Sequence, residues 1–294
     1  MSPLSLPLPL KLQTSRLAHA LLAALVPMGA LAQEAPAPND NLNAVLWDQT
    51  SVEAQAGFVG AFALARIRLD EALADTARTA APKDQTGDFQ DLPPAVVLDV
   101  DDTLLNTSRY QAWALKADKS FSAETWTQYV KAKVDTAIPG AVDFTQYAAS
   151  KGVKVFYVTN RTKEEEAPTV ELMTALGFAG GGNVDTFLSA KEQPDWTSAK
   201  GTRRAFIAKD YRILMLVGDN LGDFTDSYKG TLTERQAAFD EAAAHWGRDW
   251  IAVANPTYGS FESSPYKGDY KLPAAEQRRM KIEALQAWSG PSAP

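Results

Sequence analysis

Three aspartates stand close together directly after an apolar run in the first half of the chain. Residues 95–98, Ala-Val-Val-Leu, follow two prolines and predict a buried β-strand. Asp99 and Asp101 are two residues apart, so they would point to the same face if the strand continued, and Asp102 comes next. Carboxylates this close repel one another unless a cation or a shared proton relieves them. The cluster therefore predicts a site that carries out chemistry.

Polar residues also follow two later apolar runs that predict strands. Thr159 and Asn160 come after the run at 153–158, and Gly218-Asp219 and then Asp223 come after the run at 213–217. In open parallel sheets ligands bind outside the carboxyl ends of the strands. The three strand ends are therefore expected to form one site.

Phosphoryl transfer is the chemistry that these residue types can carry together. Asp99 can attack phosphorus and form an aspartyl-phosphate, while Asp101 can protonate the departing alkoxide and later activate water. An all-oxygen Mg²⁺ site would use the carboxylates of Asp99 and Asp219, the carbonyl of Asp101 and, through a water, Asp223. The predicted phosphate-binding groups are Thr159, the Asn160 amide and Lys200.

Each of these motifs has a simpler explanation when it is taken alone. The Asp99–Asp101 pair could form a calcium loop, but that template fails because its sixth position is Leu104 and its twelfth is Tyr110. Thr-Asn and Gly-Asp after a strand are more often turns, and a lysine in a helix is by default solvated. No GxxxxGK[ST] loop is present, which excludes a P-loop nucleotide hydrolase. The ordered combination is what favours phosphoryl transfer.

The ordered set resembles the haloacid dehalogenase (HAD) superfamily of phosphohydrolases. The match consists of D-x-D-x-T at 99–103, the strand-end Thr159, Lys200, and G-D-x-x-x-D at 218–223. Dehalogenases proper lack the second aspartate of the first motif, so Asp101 points to phosphate ester chemistry. VVLDVDDTLLNTSRY (96–110) and LMLVGDNLGDF (214–224) are similar to the paired signatures of bacterial class C non-specific acid phosphatases, some of which are 5′-nucleotidases of the lipoprotein-e type. Three further similar segments are LNAVLWDQTSVEA (42–54), VFYVTNR (155–161) and NPTYGSFE (255–262).

The chain departs from the pattern of that family in two places. Members commonly carry an N-terminal lipidated Cys, and this chain has no Cys, so the resemblance implies a soluble periplasmic form. The residue after Asp101 is usually Glu, whereas here it is Asp102, which is left without an assigned role. Lys191 competes with Lys200 for the phosphate-binding role. Lys200 is preferred because it opens the helix before the Asp219 strand, as the corresponding lysine of the family does.

Aromatic residues indicate where the rest of a substrate would bind. The resemblance implies that Tyr258 stacks on the base or aromatic group of the substrate, and such stacking tolerates many bases. Tyr110 and Trp113 are further candidates for substrate binding. For Phe121 and Trp126 the favoured interpretation is the hydrophobic core of their own segment.

The elements that must position these residues alternate between strands and helices. This alternation predicts an α/β fold with a Rossmann-like, mainly parallel sheet and helices on both faces, as in HAD-like proteins. Residues 104–152 separate the first two strands by far more than a usual crossover and predict a small helical cap insertion. The predicted core spans 93–294, and an N-terminal helical extension spans 50–92. That extension opens with a capping box at Thr50 and Glu53 and continues as a helix to about residue 79.

The first 32 residues predict a cleaved signal peptide. Lys11 and Arg16 precede an apolar run at 17–31, which ends with the A-x-A pattern Ala30-Leu31-Ala32. A membrane anchor is the alternative, but a histidine and a proline interrupt a run that is already short for a span. Residues 33–49 predict a linker, and the expected location is the periplasm or outside the cell, without a stable membrane anchor.

Composition excludes several other kinds of site. The absence of Cys excludes disulfides, thiolate nucleophiles and Cys-based metal sites, and two His leave little scope for a Ser-His-Asp triad. A net charge of -7 argues against a nucleic-acid polymer as partner but allows a small phosphomonoester. Related enzymes suggest a homodimer.

The leading interpretation is a secreted Mg²⁺-dependent acid phosphatase that hydrolyses nucleoside monophosphates and aryl phosphates. One alternative is a phosphatase specific for another small phosphoester, or a phosphotransferase, on the same scaffold. Another is a non-catalytic periplasmic protein that binds a phosphorylated ligand. Retention of both Asp99 and Asp101 argues against the last alternative, because binding alone needs no acid or base.

Overall fold

The computed structural model describes residues 40–290 of the chain. The strands are β1 (Pro94–Leu98), β2 (Leu105–Asn106), β3 (Thr136–Ala137), β4 (Lys154–Thr162), β5 (Phe187–Ala190), β6 (Arg212–Gly218) and β7 (Trp250–Ala252). The α-helices are α1 (Leu42–Thr50), α2 (Val52–Ala74), α3 (Ser108–Lys116), α4 (Ala123–Ala132), α5 (Ala141–Ser150), α6 (Lys163–Leu176), α7 (Gly201–Ala208), α8 (Leu221–Phe224), α9 (Leu232–Glu241), α10 (Ser260–Ser263) and α11 (Ala274–Glu283). A 3₁₀ turn covers Ser264–Tyr266.

The large sheet is parallel and has the strand order β5-β4-β1-β6-β7. β1 lies at its centre, and later strands are added on both sides of it. The crevice at the carboxyl ends of the strands, where the order reverses, is the usual ligand site of open α/β sheets. The predicted α/β fold with a mainly parallel sheet is confirmed.

The central strand β1 packs against helices on both faces. Val96 and Leu98 lie in one hydrophobic cluster, which includes residues of α2 and α5. Ala95 and Val97 lie in a second cluster on the opposite face, which includes residues of α7 and α8. Alternating side chains of a strand point to opposite faces, so an uninterrupted apolar run is what a strand covered on both sides requires.

The segment before the sheet contains two helices instead of a linker followed by one helix. Helix α1 begins at Leu42, inside the stretch predicted as a linker, and is anchored by the buried side chain of Val45. Ser51, and not Thr50, caps α2: its hydroxyl accepts a hydrogen bond from the Ala54 N–H at 3.0 Å. Helix α2 ends at Ala74, and the next residue, Asp75, has an extended backbone. The predicted helix start and end were therefore wrong by one and about five residues.

Helix α2 is part of the core and not a separate layer. Its buried face consists of small and large apolar residues at helical spacing, Ala54, Phe58, Phe62, Ala65, Leu69 and Ala72. The ring of Phe62 lies 5.9 Å from that of Phe144 in α5. Gly140 has a positive φ of 87°, and a Cβ there would lie 3.1 Å from the Cβ of Phe62. The close approach of α2 to the start of α5 therefore depends on this glycine.

The insertion between β1 and β4 is smaller and less helical than predicted. It comprises α3 and α4 together with the antiparallel pair β2–β3. Helix α5 lies inside the predicted range 104–152 but packs on α2 and β4, as an ordinary crossover helix does. The insertion has an aromatic cluster in which four rings lie within 6.1 Å of the buried Tyr110 ring: Trp113, Phe121, Trp126 and Tyr129.

Strand β4 continues to Thr162, past its predicted end at residue 158. Its pairing with β5 becomes irregular between Thr159 and Thr162. Helix α6 follows at once with the predicted bounds, and Thr162 and Glu165 form its capping box. Thr159 and Asn160 therefore lie in the irregular final part of a strand and not in a loop.

The predicted signal peptide and the first part of the predicted linker lie outside the described residues. Within residues 40–290, no helix combines the length and the apolar character that crossing a membrane requires.

We predict that Phe62→Ala lowers the free energy of unfolding by about 3–5 kcal/mol, because it removes a buried ring and leaves a cavity against Phe144. Val59→Ala, on the exposed side of the same helix, is the matched control and should change it by less than about 0.5 kcal/mol. Urea unfolding of both variants measures the difference. Equal stability of the two would show that α2 does not belong to the core.

Candidate active site

Asp99 and Asp219 lie side by side because they follow neighbouring parallel strands. Asp99 comes directly after β1 and its N–H donates to the Val217 carbonyl of β6 at 2.9 Å. Asp219 follows the last residue of β6. The strand pairing therefore brings together two carboxylates that are 120 positions apart in the numbering.

Asp223 joins this pair through the short helix α8. The chain turns at Asn220, whose N–H donates to the Asp223 carboxylate at 2.8 Å and completes a capping box. A side chain at Gly218 would collide with Asp223. The G-D-x-x-x-D pattern is thus a tight turn that folds its second aspartate back against the strand end.

The three carboxylates form a cluster that could hold a metal ion. Asp99, Asp219 and Asp223 each offer one oxygen, and these oxygens all lie within 4.8 Å of one another. Burial, followed by the negative charges of Asp223 and Asp99, raises the pKa of Asp219 well above its usual value. Burial also raises the pKa of Asp223 to about 6, against the opposing effect of Lys200. The carboxylates therefore repel one another, and a cation bound between them would favour their charged forms.

Lys200 is the cation inside this cluster. Its ammonium group contacts Asp99 and lies 2.7 Å from Asp223, and the side chain is almost completely buried. Burial alone would lower the pKa of Lys200, but the carboxylates of Asp223 and Asp99 raise it. Lys191 is exposed, in a turn with a positive φ of 63°, and the geometry therefore favours Lys200 over Lys191.

Two residues that were not predicted as ligands hold the carboxylates in place. The hydroxyl of Thr103 lies 3.2 Å from both Asp99 and Asp219. The amide of Asn255 donates to Asp219 at 2.8 Å, while its oxygen accepts from the Thr257 N–H at 2.9 Å. Thr103 belongs to the D-x-D-x-T motif. Asn255 begins the NPTYGSFE segment, which is the signal that could have identified it.

Asp101 does not touch the carboxylate cluster through its side chain but pairs with Arg161. The Nε and Nη2 groups of Arg161 donate to Asp101 Oδ1 at 2.9 and 2.7 Å. Nη2 also donates to Asp135 at 2.8 Å. Burial raises the pKa of Asp101, and the Arg161 charge opposes the increase. Arg161 stands in the predicted V-T-N-R run, two positions after Thr159, and Asp135 had no local sequence signal.

Thr159 and Asn160 lie beside the cluster at the end of β4. The hydroxyl of buried Thr159 accepts from the Arg161 N–H at 3.0 Å. The side chain of Asn160 is held by Arg203, which donates to it at 2.8 Å, and it donates to the Ser198 carbonyl at 3.2 Å. Arg203 also donates to the Thr159 carbonyl, so this buried guanidinium fixes the strand end that was predicted to bind phosphate.

Asp102, which had no predicted role, organises the chain where it enters the insertion. It adopts a left-handed conformation with a φ of 55°. Its carboxylate accepts from the N–H and hydroxyl of Thr107 at 2.9 and 2.6 Å. The Tyr258 hydroxyl also hydrogen-bonds to it. Burial raises the pKa of Asp102 to about 7, against the effect of these hydrogen bonds.

The three aromatic residues predicted to bind substrate occupy different surroundings. Tyr258 is half-buried and, through Asp102, is tied to the loop of the first motif. Tyr110 is 1% exposed, and its hydroxyl pairs with that of Thr125 at 2.8 Å, so its ring packs inside the insertion and its role as a substrate contact stays a prediction. Trp113 is 43% exposed and lines a groove of about 840 Å³ beside α1 and α3. That groove contains none of the clustered carboxylates.

Comparison with known proteins decides the family. The pattern of HAD superfamily, subfamily IIIB (Acid phosphatase) matches residues 29–261. The chain belongs to this acid phosphatase family. The class C acid phosphatase from Bacillus anthracis is 29% identical, with a TM-score of 0.74, over 84% of this chain and 97% of that one. The same values hold for the structure of that enzyme with tungstate bound.

As a member of the subfamily IIIB acid phosphatases, the protein is a hydrolase of phosphoric monoesters. The prediction of an enzyme is thereby confirmed, as is the predicted HAD family. HAD phosphatases generally use a divalent metal ion, and the carboxylates of Asp99, Asp219 and Asp223 fit such an ion in both number and chemistry. The raised pKa of Asp219 is consistent with that fit, because a bound cation would favour the charged form of this carboxyl group.

We predict that Asp102 makes the metal-free acid phosphatase less stable as the pH rises. Its pKa is about 7 in the folded protein against 3.8 normally, so the folded state holds the proton more tightly between these values. The resulting loss in the free energy of unfolding is absent below about pH 4 and complete above about pH 7, and its upper limit is about 4 kcal/mol. Asp102→Asn removes the titrating group. The free energy of unfolding of this variant, relative to that of the wild type, should therefore be higher at pH 7.5 than at pH 4.5.

Urea unfolding in EDTA at the two pH values measures this effect. Asp118→Asn is the matched control, because Asp118 is also left-handed, with a φ of 51°, but is exposed. The same dependence on pH in the wild type and in Asp102→Asn would contradict the prediction.

Proposed function

We propose that this acid phosphatase is a Mg²⁺-dependent enzyme that hydrolyses nucleoside monophosphates and aryl phosphates through a phosphoryl group carried on Asp99. The observation that carries the proposal is the convergence of Asp99, Asp219 and Asp223 around the buried ammonium group of Lys200. A nucleophile, a site for a divalent cation and a fixed positive charge are the parts that phosphoryl transfer needs.

In this mechanism Asp99 attacks phosphorus while the bond to the leaving oxygen breaks, which yields an aspartyl-phosphate and an alcohol. Lys200 balances the charge of the phosphoryl oxygens, and the Thr159 hydroxyl and the Asn160 amide donate hydrogen bonds to them. Asp101 donates a proton to the leaving oxygen and then, as a carboxylate, accepts one from the water that hydrolyses the intermediate. Aspartate is restored by the second step, so one water is consumed in each cycle.

The residues that would hold Mg²⁺ are the carboxylates of Asp99 and Asp219, the Asp101 carbonyl and, through a water, Asp223. When bound, the ion would neutralise charge on the nucleophile and on the phosphoryl oxygens. Thr103 and Asn255 support this assignment, because their hydrogen bonds orient the carboxylates that face the site.

The binding of tungstate to the Bacillus anthracis relative also supports the proposal. Tungstate is a tetrahedral oxyanion like phosphate, and a site built for a phosphoryl group accepts both. For the rest of the substrate, the half-buried ring of Tyr258 near Asp102 supports stacking of a base or aryl group. Trp113 is a weaker candidate, because it lies in a groove separate from the carboxylates.

We infer from the sequence of residues 1–32 that the enzyme is exported and that the mature form works in the periplasm or outside the cell. The lack of Cys leaves no site for a lipid anchor of the lipoprotein type. The proposed partners are small phosphomonoesters and a second copy of the chain, without a nucleic-acid polymer.

We predict that EDTA abolishes hydrolysis of p-nitrophenyl phosphate and that added Mg²⁺ restores it. Asp99→Asn should lower kcat by at least about 10³-fold, because an amide cannot form the phosphoryl intermediate. Asp91→Asn, an exposed control, should retain full activity. Turnover without a metal, or full activity of Asp99→Asn, would exclude the mechanism.

We predict that Lys200→Gln lowers kcat/KM for p-nitrophenyl phosphate by about 10²- to 10³-fold, because the site loses its fixed positive charge. Lys191→Gln is the matched control, since this exposed lysine lies outside the cluster, and it should be within about twofold of wild type. Steady-state kinetics with and without inorganic phosphate as inhibitor test both variants. A larger loss of kcat/KM in Lys191→Gln than in Lys200→Gln would assign the phosphate-binding role to Lys191.

A further inference from the structure

The hydrogen bonds of Arg161 single out one oxygen of Asp101. Nε and Nη2 both donate to Oδ1, at 2.9 and 2.7 Å. In the part of the chain that the structure describes, every hydrogen bond to this carboxylate goes to Oδ1. The Asp101 side chain is 15% exposed, whereas that of Arg161 is completely buried. Oδ1 is therefore committed to the guanidinium, and Oδ2 is the oxygen left for a ligand.

The guanidinium itself is held by the insertion. Asp135, which follows α4, accepts from Nη2 at 2.8 Å, and its other oxygen accepts from the Tyr129 hydroxyl. The ring of Trp126 lies 5.7 Å from the guanidinium carbon. The remaining Nη1 group donates to Thr169 at 3.0 Å. The side chain of Asp135 is 1% exposed, so this support is as deeply buried as the group that it holds.

We propose that Arg161, held by Asp135, is the positioning residue that orients the proton donor Asp101. This inference rests on the proposed function, in which Asp101 is the general acid. An oxygen that already accepts two N–H groups is a poor place for a proton, so the guanidinium keeps the transferable proton on Oδ2. That proton passes to the leaving oxygen as its bond to phosphorus breaks and the Asp99–phosphorus bond forms. Asp101 is left as a carboxylate paired with Arg161.

The arrangement is more than a structural ion pair because one guanidinium serves two carboxylates from different parts of the fold. Asp101 belongs to the first motif of the core, and Asp135 belongs to the insertion. Burying charges is costly unless the geometry is nearly ideal, and a pair used only for stability could be replaced by apolar residues. In this account the insertion acts on the chemical step and does not only cover the site.

The test uses the acidity of the leaving group, because a general acid matters most when the leaving oxygen is strongly basic. We predict that Arg161→Lys lowers kcat/KM for an alkyl phosphate by about 10²-fold but for p-nitrophenyl phosphate by less than about fivefold. Asp135→Asn keeps the guanidinium and should show the same selective loss at about tenfold. Asp101→Asn supplies the reference pattern for the complete loss of the acid.

Two measurements keep the test independent of folding. Thermal unfolding identifies any variant that fails to fold. If Arg161→Lys fails to fold, Asp135→Asn provides the test instead. Lys133→Gln is the matched control in the insertion, because it removes an exposed ion pair with Glu171 and should change neither substrate. A selective loss on the alkyl phosphate in the folded variants supports the proposal.

Two other outcomes would contradict the role of Arg161 or the role of Asp101. If Asp101→Asn shows the selective loss but Arg161→Lys and Asp135→Asn lose activity equally on both substrates, or not at all, the positioning role is overturned. If Asp101→Asn itself lowers kcat/KM, which reports the step that expels the leaving group, equally for both substrates, the proposed acid is wrong and the positioning role is overturned with it.

Discussion

Four aspartates meet at the carboxyl ends of neighbouring parallel strands, where burial removes much of the water that would keep them charged. Three of them, Asp99, Asp219 and Asp223, point at one another, and the fourth, Asp101, is turned away to an arginine. Burial and mutual repulsion raise the pKa of Asp219 well above its usual value, which is an unfavourable arrangement for stability alone. The folded protein accommodates the cluster because neighbouring cationic and hydrogen-bonding groups balance part of the negative charge of the carboxylates. A bound metal ion would balance the remainder.

The balancing groups come from separate elements, so the architecture of the domain and the chemistry of the site depend on each other. Lys200 enters at the start of α7, Arg161 comes from the irregular end of β4, and Asn255 comes from the loop after β7. Of these elements β4 lies beside β1 in the sheet, and the insertion supports its Arg161 through Asp135. A change in the packing of the insertion would therefore reach the Asp101 carboxylate without touching the strand that carries it.

Local patterns were enough to predict the parallel sheet and the acidic half of the site. Asp99 and Asp219 each follow an apolar run, and a parallel sheet brings such strand ends together. Asp135 could not be predicted in this way, because its partner is 26 positions away and the contact exists only once the insertion has folded. Tyr110 was assigned to substrate because neither its type nor its spacing distinguishes a ring packed among other rings from one that faces a ligand. The helix at α1 was missed because Val45 alone in it is fully buried.

The proposed mechanism depends above all on Asp99, which carries the phosphoryl group. The most direct measurement is a rapid acid quench of the Asp101→Asn variant during turnover of p-nitrophenyl phosphate, followed by proteolysis and mass spectrometry. This variant lacks the base that activates water, so the intermediate should accumulate. We predict the added mass of one phosphoryl group on the peptide that contains Asp99. A phosphoryl group on another residue, such as His245, or continued turnover with no covalently bound phosphate, would contradict it.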